Sequence, residues 1–599
     1  MRKAILTVIS SLMFPLAAFG EGPGESFDWK PWRRLAVQDG GRYKPLDTLA
    51  WETLRTLCNR ASLVDPESGE KLDAAAAYLT MLFEWPGWDS SAQGESRDMG
   101  LPSSGGSPDK WDKAGLLRVD YLELRDLLGM AADQKYLSPA ELSKATIRDP
   151  RTGRETSFLL WVQKISRDEA RGLPMLERKA LELAMNYTAY RNHRAGKRLG
   201  ILPLPGDEHE HWLSVADLVG GDLQSIEDSS GTFARAREQF QKVRAAFLSK
   251  SAEAFNAASA EFIATLQTAG PKLGVYPSQR KLDWEVAYNH WAPFRFAWIF
   301  AMLSFFLVAL SMGTKGKPLY AIGVGLFVLS FAAMLAGFAL RIAISGRAPV
   351  TNMYESVVYL ALGTAVFGLL FEAIYRSRYV MVAAAAVTTV ALILADNCPA
   401  ILDPSLKPLQ PVLRSNFWLV THVMSITLSY AAFALALGVG NITLGHYLAR
   451  SRNPETIAAL TRFTYKALQV GVLLLAAGTI LGGVWADYSW GRFWGWDPKE
   501  VWALIALLGY LAVLHARYVG WVNELGLAAL SVICFALVVM AWYGVNFVLG
   551  AGLHSYGFGG GGQGYVYSAM AIQLVYVAVA VAVVLIRGAG KCEAGRSAA

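Results

Sequence analysis

From residue 294 onward the chain repeats one pattern: a long apolar run, a short polar break, then another run. The runs fall at about 294–312, 319–340, 353–375, 379–395, 416–445, 467–485, 500–520, 525–548 and 567–586. Each is near the roughly 20 residues a helix needs to cross a bilayer, so the pattern predicts nine membrane helices. Residues 21–290 read instead as ordinary soluble protein. Apolar positions there recur at helical spacing, most clearly in Phe233–Ser249 and Ala252–Thr268, which predict a helical hairpin. A break at Pro271–Gln279 should follow, and Pro102–Pro108 and the stretch around Pro203 and Pro205 read as loops. Arg2 and Lys3, the apolar stretch Ala4–Ala18 and small Gly20 describe a secretory signal, with an uncleaved anchor as the alternative. The expected fold is an all-α polytopic membrane protein with a mainly helical, extracytoplasmic N-terminal domain. Its parts would be a signal (1–20), a soluble domain (21–290), a membrane domain (291–590) and a cytoplasmic tail (591–599).

Charge fixes an orientation for this pattern. The net charge of +7 does not point to nucleic acid, because many of the basic residues flank apolar runs. With residues 21–290 outside, the inner loops and tail hold Lys315, Lys317, Arg376, Arg378, Arg450, Arg452, Arg462, Lys466, Arg517, Arg587, Lys591 and Arg596. The outer loops hold only Arg341, Arg347, Lys407, Arg414, Arg492 and Lys499. Twelve against six agrees with the positive-inside rule and with the N-terminal signal.

Composition excludes several classes. The four cysteines form no CxxC, so the chain is neither a disulfide scaffold nor a thioredoxin-like reductant, and without CxxCH it is not a c-type cytochrome. The EHEH run Glu208–His211 reads as solvated loop, because no further His or Cys neighbours complete a metal site.

The candidate chemistry lies between the sixth and seventh runs. Trp485, Trp490, Trp494, Trp496 and Trp502 fall within one short segment with Tyr488, Phe493, Asp487, Asp497 and Glu500. One or two Trp would serve as interface anchors; five suit a flat shelf for a large planar apolar ligand. Gly491 and Gly495 would let the backbone approach that ligand. Asp497-Pro498 reads as a helix start. Two histidines fall on the same outer side: His422 near the start of the fifth run, and His554 ahead of the glycines Gly557 and Gly559–Gly562. Paired imidazoles beside an aromatic shelf fit the two axial positions of haem iron. His515, at the inner end of the seventh run, is either an inner haem contact or an interface residue beside Arg517. His290 and His446 read as an interface and a solvated residue. Arg347, Arg414 and Arg492 are candidate partners for haem propionates.

Trp490-Gly491, Trp494, Trp496-Asp497 and Glu500 stand in the order WGxxWxWDxxE, which resembles the Trp-rich segment of the CcsA/ResC family of cytochrome c assembly proteins. Pro349–Ala361, Leu409–Val423, the LHAR stretch at His515 and the GLHSY stretch at His554 are similar to family segments too. The likeness covers about residues 294–590. It implies that His422 and His554 are axial ligands of haem b and that the Trp-rich segment, with Trp485 to Trp502, Asp497 and Glu500, holds one haem face. It assigns His515 to an inner haem site. It also implies a ResB/CcsB-type membrane partner, an apocytochrome c CxxCH substrate, thiol-reducing proteins in the same pathway and a bacterial cytoplasmic-membrane location. The activity expected from it is haem presentation and attachment. The rivals are a haem exporter without ligation and, more distantly, a transporter of another aromatic solute. Residues 21–290 are the main departure from the short family members.

Overall fold

The computed structural model describes residues 26–88, 108–131, 133–167, 173–206, 211–221, 231–313, 316–398, 401–408, 416–449, 453–549 and 562–597. The N-terminal signal, most of the Pro102–Pro108 loop, Glu208–Glu210, Arg414, His554 and Gly557–Gly561 lie outside the described residues. The chain divides into two compact units, Met1–His290 and Trp291–Ala599.

The first unit is mainly helical but holds four small sheets that the helix-period reading did not anticipate. Strands β1 (Ala36–Asp39), β2 (Arg42–Pro45), β3 (Gly200–Pro203) and β4 (Trp212–Ser214) pair in the order β4-β3-β1-β2. The β1–β2 turn is Gly40-Gly41, both at positive φ (59° and 72°), which is what a two-residue hairpin requires. Pro203 therefore ends a strand and is not loop. The expected hairpin is present as helices Thr232–Leu248 and Ala252–Leu273. Phe240, Phe247, Phe255 and Phe262 from this hairpin pack with Phe83 and Trp32 in the core. After the break, a polar helix, Gln279–Trp291, docks back onto this unit. Glu285 accepts from both guanidinium nitrogens of Arg42 and from the Thr48 hydroxyl. His290 bonds Asp47 at 3.1 Å, so it is anchored within the unit.

The second unit holds, among the described residues, nine helices long and apolar enough to cross a membrane. They are α1 (Pro293–Gly313), α2 (Lys317–Ser345), α3 (Met353–Tyr375), α4 (Arg378–Asn397), α5 (Asn416–Leu448), α6 (Pro454–Trp490), α7 (Pro498–Tyr518), α8 (Glu524–Leu549) and α9 (Gln563–Ser597). These match the nine apolar runs, and the protein is a multi-pass membrane protein. Helix α5 packs against α6, α3, α4 and α8 and so runs through the middle of the bundle. Its closest neighbour is α6, whose Gly471, Gly478 and Gly482 share one helical face. A Cβ at these positions would lie 2.4 Å from Phe433, 2.8 Å from Ile426 and 2.5 Å from His422, all on α5. With apolar side chains equally at home in lipid, such small-residue contact is what drives helices together in a bilayer.

Candidate functional site

His422 sits nearly two turns inside α5, where that glycine face brings α6 against it. Its Nδ1 lies 2.7 Å from the carbonyl oxygen of Gly478. A carbonyl can only accept, so Nδ1 carries the proton, and the neutral ring then has its lone pair on Nε2. This is the second-sphere arrangement seen around metal-ligating histidines, in which one ring N–H is anchored to a carbonyl. The Trp485 indole lies nearly parallel to the imidazole, at 10° with centroids 6.2 Å apart. It is 1% exposed, so it backs the histidine within the bundle.

The other tryptophans do not extend this plane into one flat shelf. Trp490 meets Trp485 at 64° and 4.7 Å, and Trp494 meets Trp496 at 88° and 6.0 Å. Only the middle of the segment is loop. Trp485 and Trp490 are on the last turns of α6, Trp494 and Trp496 lie between the helices, and Trp502 is on α7. Trp496 is 72% exposed, with a left-handed backbone (φ 56°) that costs a non-glycine residue about 1 kcal/mol.

The acidic residues hold that loop. Asp497 caps α7 by accepting from the Lys499 N–H, and Glu500 accepts from the N–H groups of Gly495 (2.8 Å) and Asp497 (3.2 Å), completing a capping box. The two glycines also have local reasons. Gly491 ends α6 in the left-handed conformation, and a Cβ on Gly495 would lie 1.6 Å from the Arg492 guanidinium.

Lys499, Asn546 and Ser356 add a second link from the segment to the rest of the bundle, and the sequence reading gave none of them a part in the site. Lys499 Nζ donates to Asn546 Oδ1 at 3.1 Å. Asn546 lies in the last ten residues of α8, a π-helical stretch, Met540–Leu549, of a kind frequent at functional sites. Trp542 of the same stretch donates from Nε1 to Ser356 on α3 at 3.0 Å. Just before α3, Thr351 and Asn352 explain the sequence of Pro349–Ala361. Asn352 caps the helix by accepting from the Glu355 N–H, and Thr351 donates to Glu355 from backbone and hydroxyl, each at 2.8 Å. Glu355 in turn pairs with Arg341 of α2 at 2.7 Å, both side chains 1% exposed.

Other sequence candidates fall elsewhere. His515 is exposed at the far end of α7, about 25 Å along the helix from Pro498 at 1.5 Å per residue, and its Nδ1 bonds the Leu511 carbonyl. His446, near the end of α5, meets Tyr379 edge to face. Arg347 is engaged by the Thr351 hydroxyl and the Lys407 carbonyl. Among the described residues no group of His, Cys, Asp and Glu is arranged to hold a metal ion, and His211 is not part of one. His554 lies outside the described residues.

The fold defines a multi-pass membrane protein, and comparison places it in a family. Residues 350–554 match the family model described as Cytochrome C assembly protein. The chain is 36% identical over 250 residues to the cytochrome c biogenesis protein CcsA of Prochlorococcus marinus (strain NATL2A), covering 78% of that protein and 36% of this chain. It is 34% identical over 295 residues to CcsA of Synechococcus sp. (strain CC9902), covering 95% of that protein and 43% of this chain. The chain belongs to the CcsA family of cytochrome c biogenesis proteins. It also resembles protein NrfI of Wolinella succinogenes, at 28% identity over 550 residues, 86% of this chain. That match is longer than the membrane unit, so it takes in part of the N-terminal unit as well; it spans 53% of NrfI, about half its length.

Proposed function

We propose that this protein binds haem b at the Trp-rich end of its membrane unit, presents it on the outer face of a bacterial cytoplasmic membrane, and supports its attachment to the CxxCH of an apocytochrome c. The observation that carries the reading is His422, with Nδ1 bonded to the Gly478 carbonyl and its ring parallel to Trp485. That contact favours the tautomer able to bind iron through Nε2 and restricts ring rotation. His554 is the second axial ligand in this proposal, and Trp490, Trp494, Trp496 and Trp502 supply aromatic surface beside the porphyrin. Asp497 and Glu500 act by fixing the loop that carries Trp494 and Trp496. His515, at the opposite end of α7, belongs to an inner site through which haem enters.

The protein's contribution to attachment is positional. Each cysteine thiol of the apocytochrome adds across one haem vinyl group; sulfur bonds one carbon and the hydrogen goes to the other, so no oxidant is consumed. Holding the porphyrin still while the peptide approaches turns a collision into an oriented encounter. The CxxCH histidine then replaces one protein imidazole on the iron, which loosens the product. A ResB/CcsB-type subunit and thiol-reducing proteins complete the pathway, and the N-terminal unit stands outside the membrane with them.

The test is expression of the full chain, with and without a ResB-type partner, in cells lacking their own assembly pathway. The purified protein should be red with a bis-histidine spectrum and should support covalent haem on a reporter cytochrome. His422→Gly should lose both, and added imidazole should restore them. Colourless protein under haem-replete conditions would sink the proposal.

A further inference from the structure

The end of the bundle opposite the Trp-rich segment carries a cavity that the haem reading does not use. It has a volume of about 300 Å³ and is lined by Tyr375, Arg376, Ser377, Arg462, Phe463 and Lys466, with Ala459. Arg462 lies about 35 Å along α6 from Trp485 at 1.5 Å per residue, so the two sites are separate. Three cationic side chains meet here and none of the lining residues is acidic. Among the described residues, neither Arg376 nor Arg462 forms an ion pair. Lys466 donates to the Tyr375 hydroxyl and sits over its ring at 4.7 Å. The nearest carboxylate on α3, Glu372, is buried and accepts from Tyr320.

The backbone adds to this charge. Arg376 and Ser377 alone join α3 to α4, and Arg376 takes a left-handed conformation (φ 49°) at the end of α3. Ser377 precedes α4 without a side-chain cap, so the positive end of a 20-residue helix meets the cavity wall that Ser377 forms. Tyr375 and Phe463 pack edge to face at 4.9 Å. One cation over an aromatic wall with two more beside it, at the ends of apolar helices, complements a phosphate group that carries an apolar tail. The volume is at the lower end of ligand pockets and fits a headgroup but not a porphyrin-sized molecule.

We propose that this cavity holds the phosphate headgroup of one anionic phospholipid, with Arg376, Arg462 and Lys466 as its cationic contacts. The lipid would bridge the α3–α4 turn to the start of α6 and steady the packing of those helices. The free headgroup oxyanion shares this chemistry, so the experiment separates the two.

Full-length protein in a zwitterionic detergent is mixed with phosphatidylglycerol or phosphatidylcholine, and retained lipid is counted by native mass spectrometry. Wild type should keep one phosphatidylglycerol in preference to phosphatidylcholine. Each basic side chain at an anionic surface is worth about fivefold in affinity, so Arg462→Gln with Lys466→Gln should weaken retention roughly thirtyfold. Arg376→Lys with Arg462→Lys keeps the charge and should retain the lipid, which separates lost binding from lost folding. Equal retention by the Gln variant, or equal retention of phosphatidylcholine, would overturn the proposal. So would inorganic phosphate that displaces the lipid at comparable concentration, because the tail would then contribute nothing.

Discussion

A Cβ at Gly482 would lie 2.5 Å from Cε1 of His422, so any side chain at residue 482 would have to push the ring aside. One helical turn earlier, the Gly478 carbonyl accepts a hydrogen bond from His422 Nδ1–H. The two glycines, four apart on α6, let the helix approach closely enough to hold the ring.

Gly482→Ala should therefore displace the imidazole and act like a partial loss of His422. A misplacement of about 1 Å costs on the order of a hundredfold in rate. Holocytochrome formation should fall by that order while membrane insertion and expression remain. A variant with full activity and an unchanged haem spectrum would show that the contact does not set the ring position.

Glu500 is a test of structure against chemistry. If it only holds the loop through Gly495 and Asp497, Glu500→Gln should keep activity, because Gln also completes a capping box. Glu500→Ala should lose about 1 kcal/mol of local stability and much of the activity. Reporter-cytochrome yield for the two variants decides this; equal loss in both would require an ionised carboxylate.

The Arg341–Glu355 pair is buried, and removing either side chain leaves the other charge buried without its counter-ion, although Thr351 still donates to Glu355 and Arg341 to the Pro404 carbonyl. Arg341→Met or Glu355→Leu alone should lower stability by about 3–5 kcal/mol, whereas the double substitution should recover most of it. Thermal unfolding in detergent measures both. Additive losses in the double variant would argue against direct coupling.

In the N-terminal unit, burial lowers the pKa of His193 to about 4, while its ring bonds the Tyr78 hydroxyl at 3.2 Å. The folded unit thus resists a proton that the unfolded chain accepts near pH 6.5. Its stability contribution is complete above that pH and is lost as the pH falls from about 6.5 towards 4. The loss reaches about 2–3 kcal/mol, after allowance for the partial exposure of the residue. Hydrogen exchange across this pH range should show the unit loosening, and His193→Gln should flatten the trend. An equally steep trend in that variant would assign it to other groups.

Nine membrane helices were legible in the chain because crossing a bilayer demands length and apolarity, both one-dimensional properties. The α7 start was legible too, since Asp497, Pro498 and Glu500 form a local cap. The small sheets of the first unit were harder to see. Their strands are short and β1 meets β3 across more than 150 residues, although Gly40-Gly41 carried a hairpin signal.

The family likeness, the apolar spans and the candidate residues of the site, His422, the Trp-rich segment and its flanking acids, are all written in the chain. Helix packing set how these residues meet. It set His422 against Gly478 and Trp485, turned Asp497 and Glu500 inward to hold a loop, and engaged Arg347 with Thr351. It also separated His515 from the Trp-rich end by the length of a helix. Hydrophobic period and local caps are written in neighbouring residues, whereas a ring's tautomer and a cation's partner depend on atoms that only helix packing brings together.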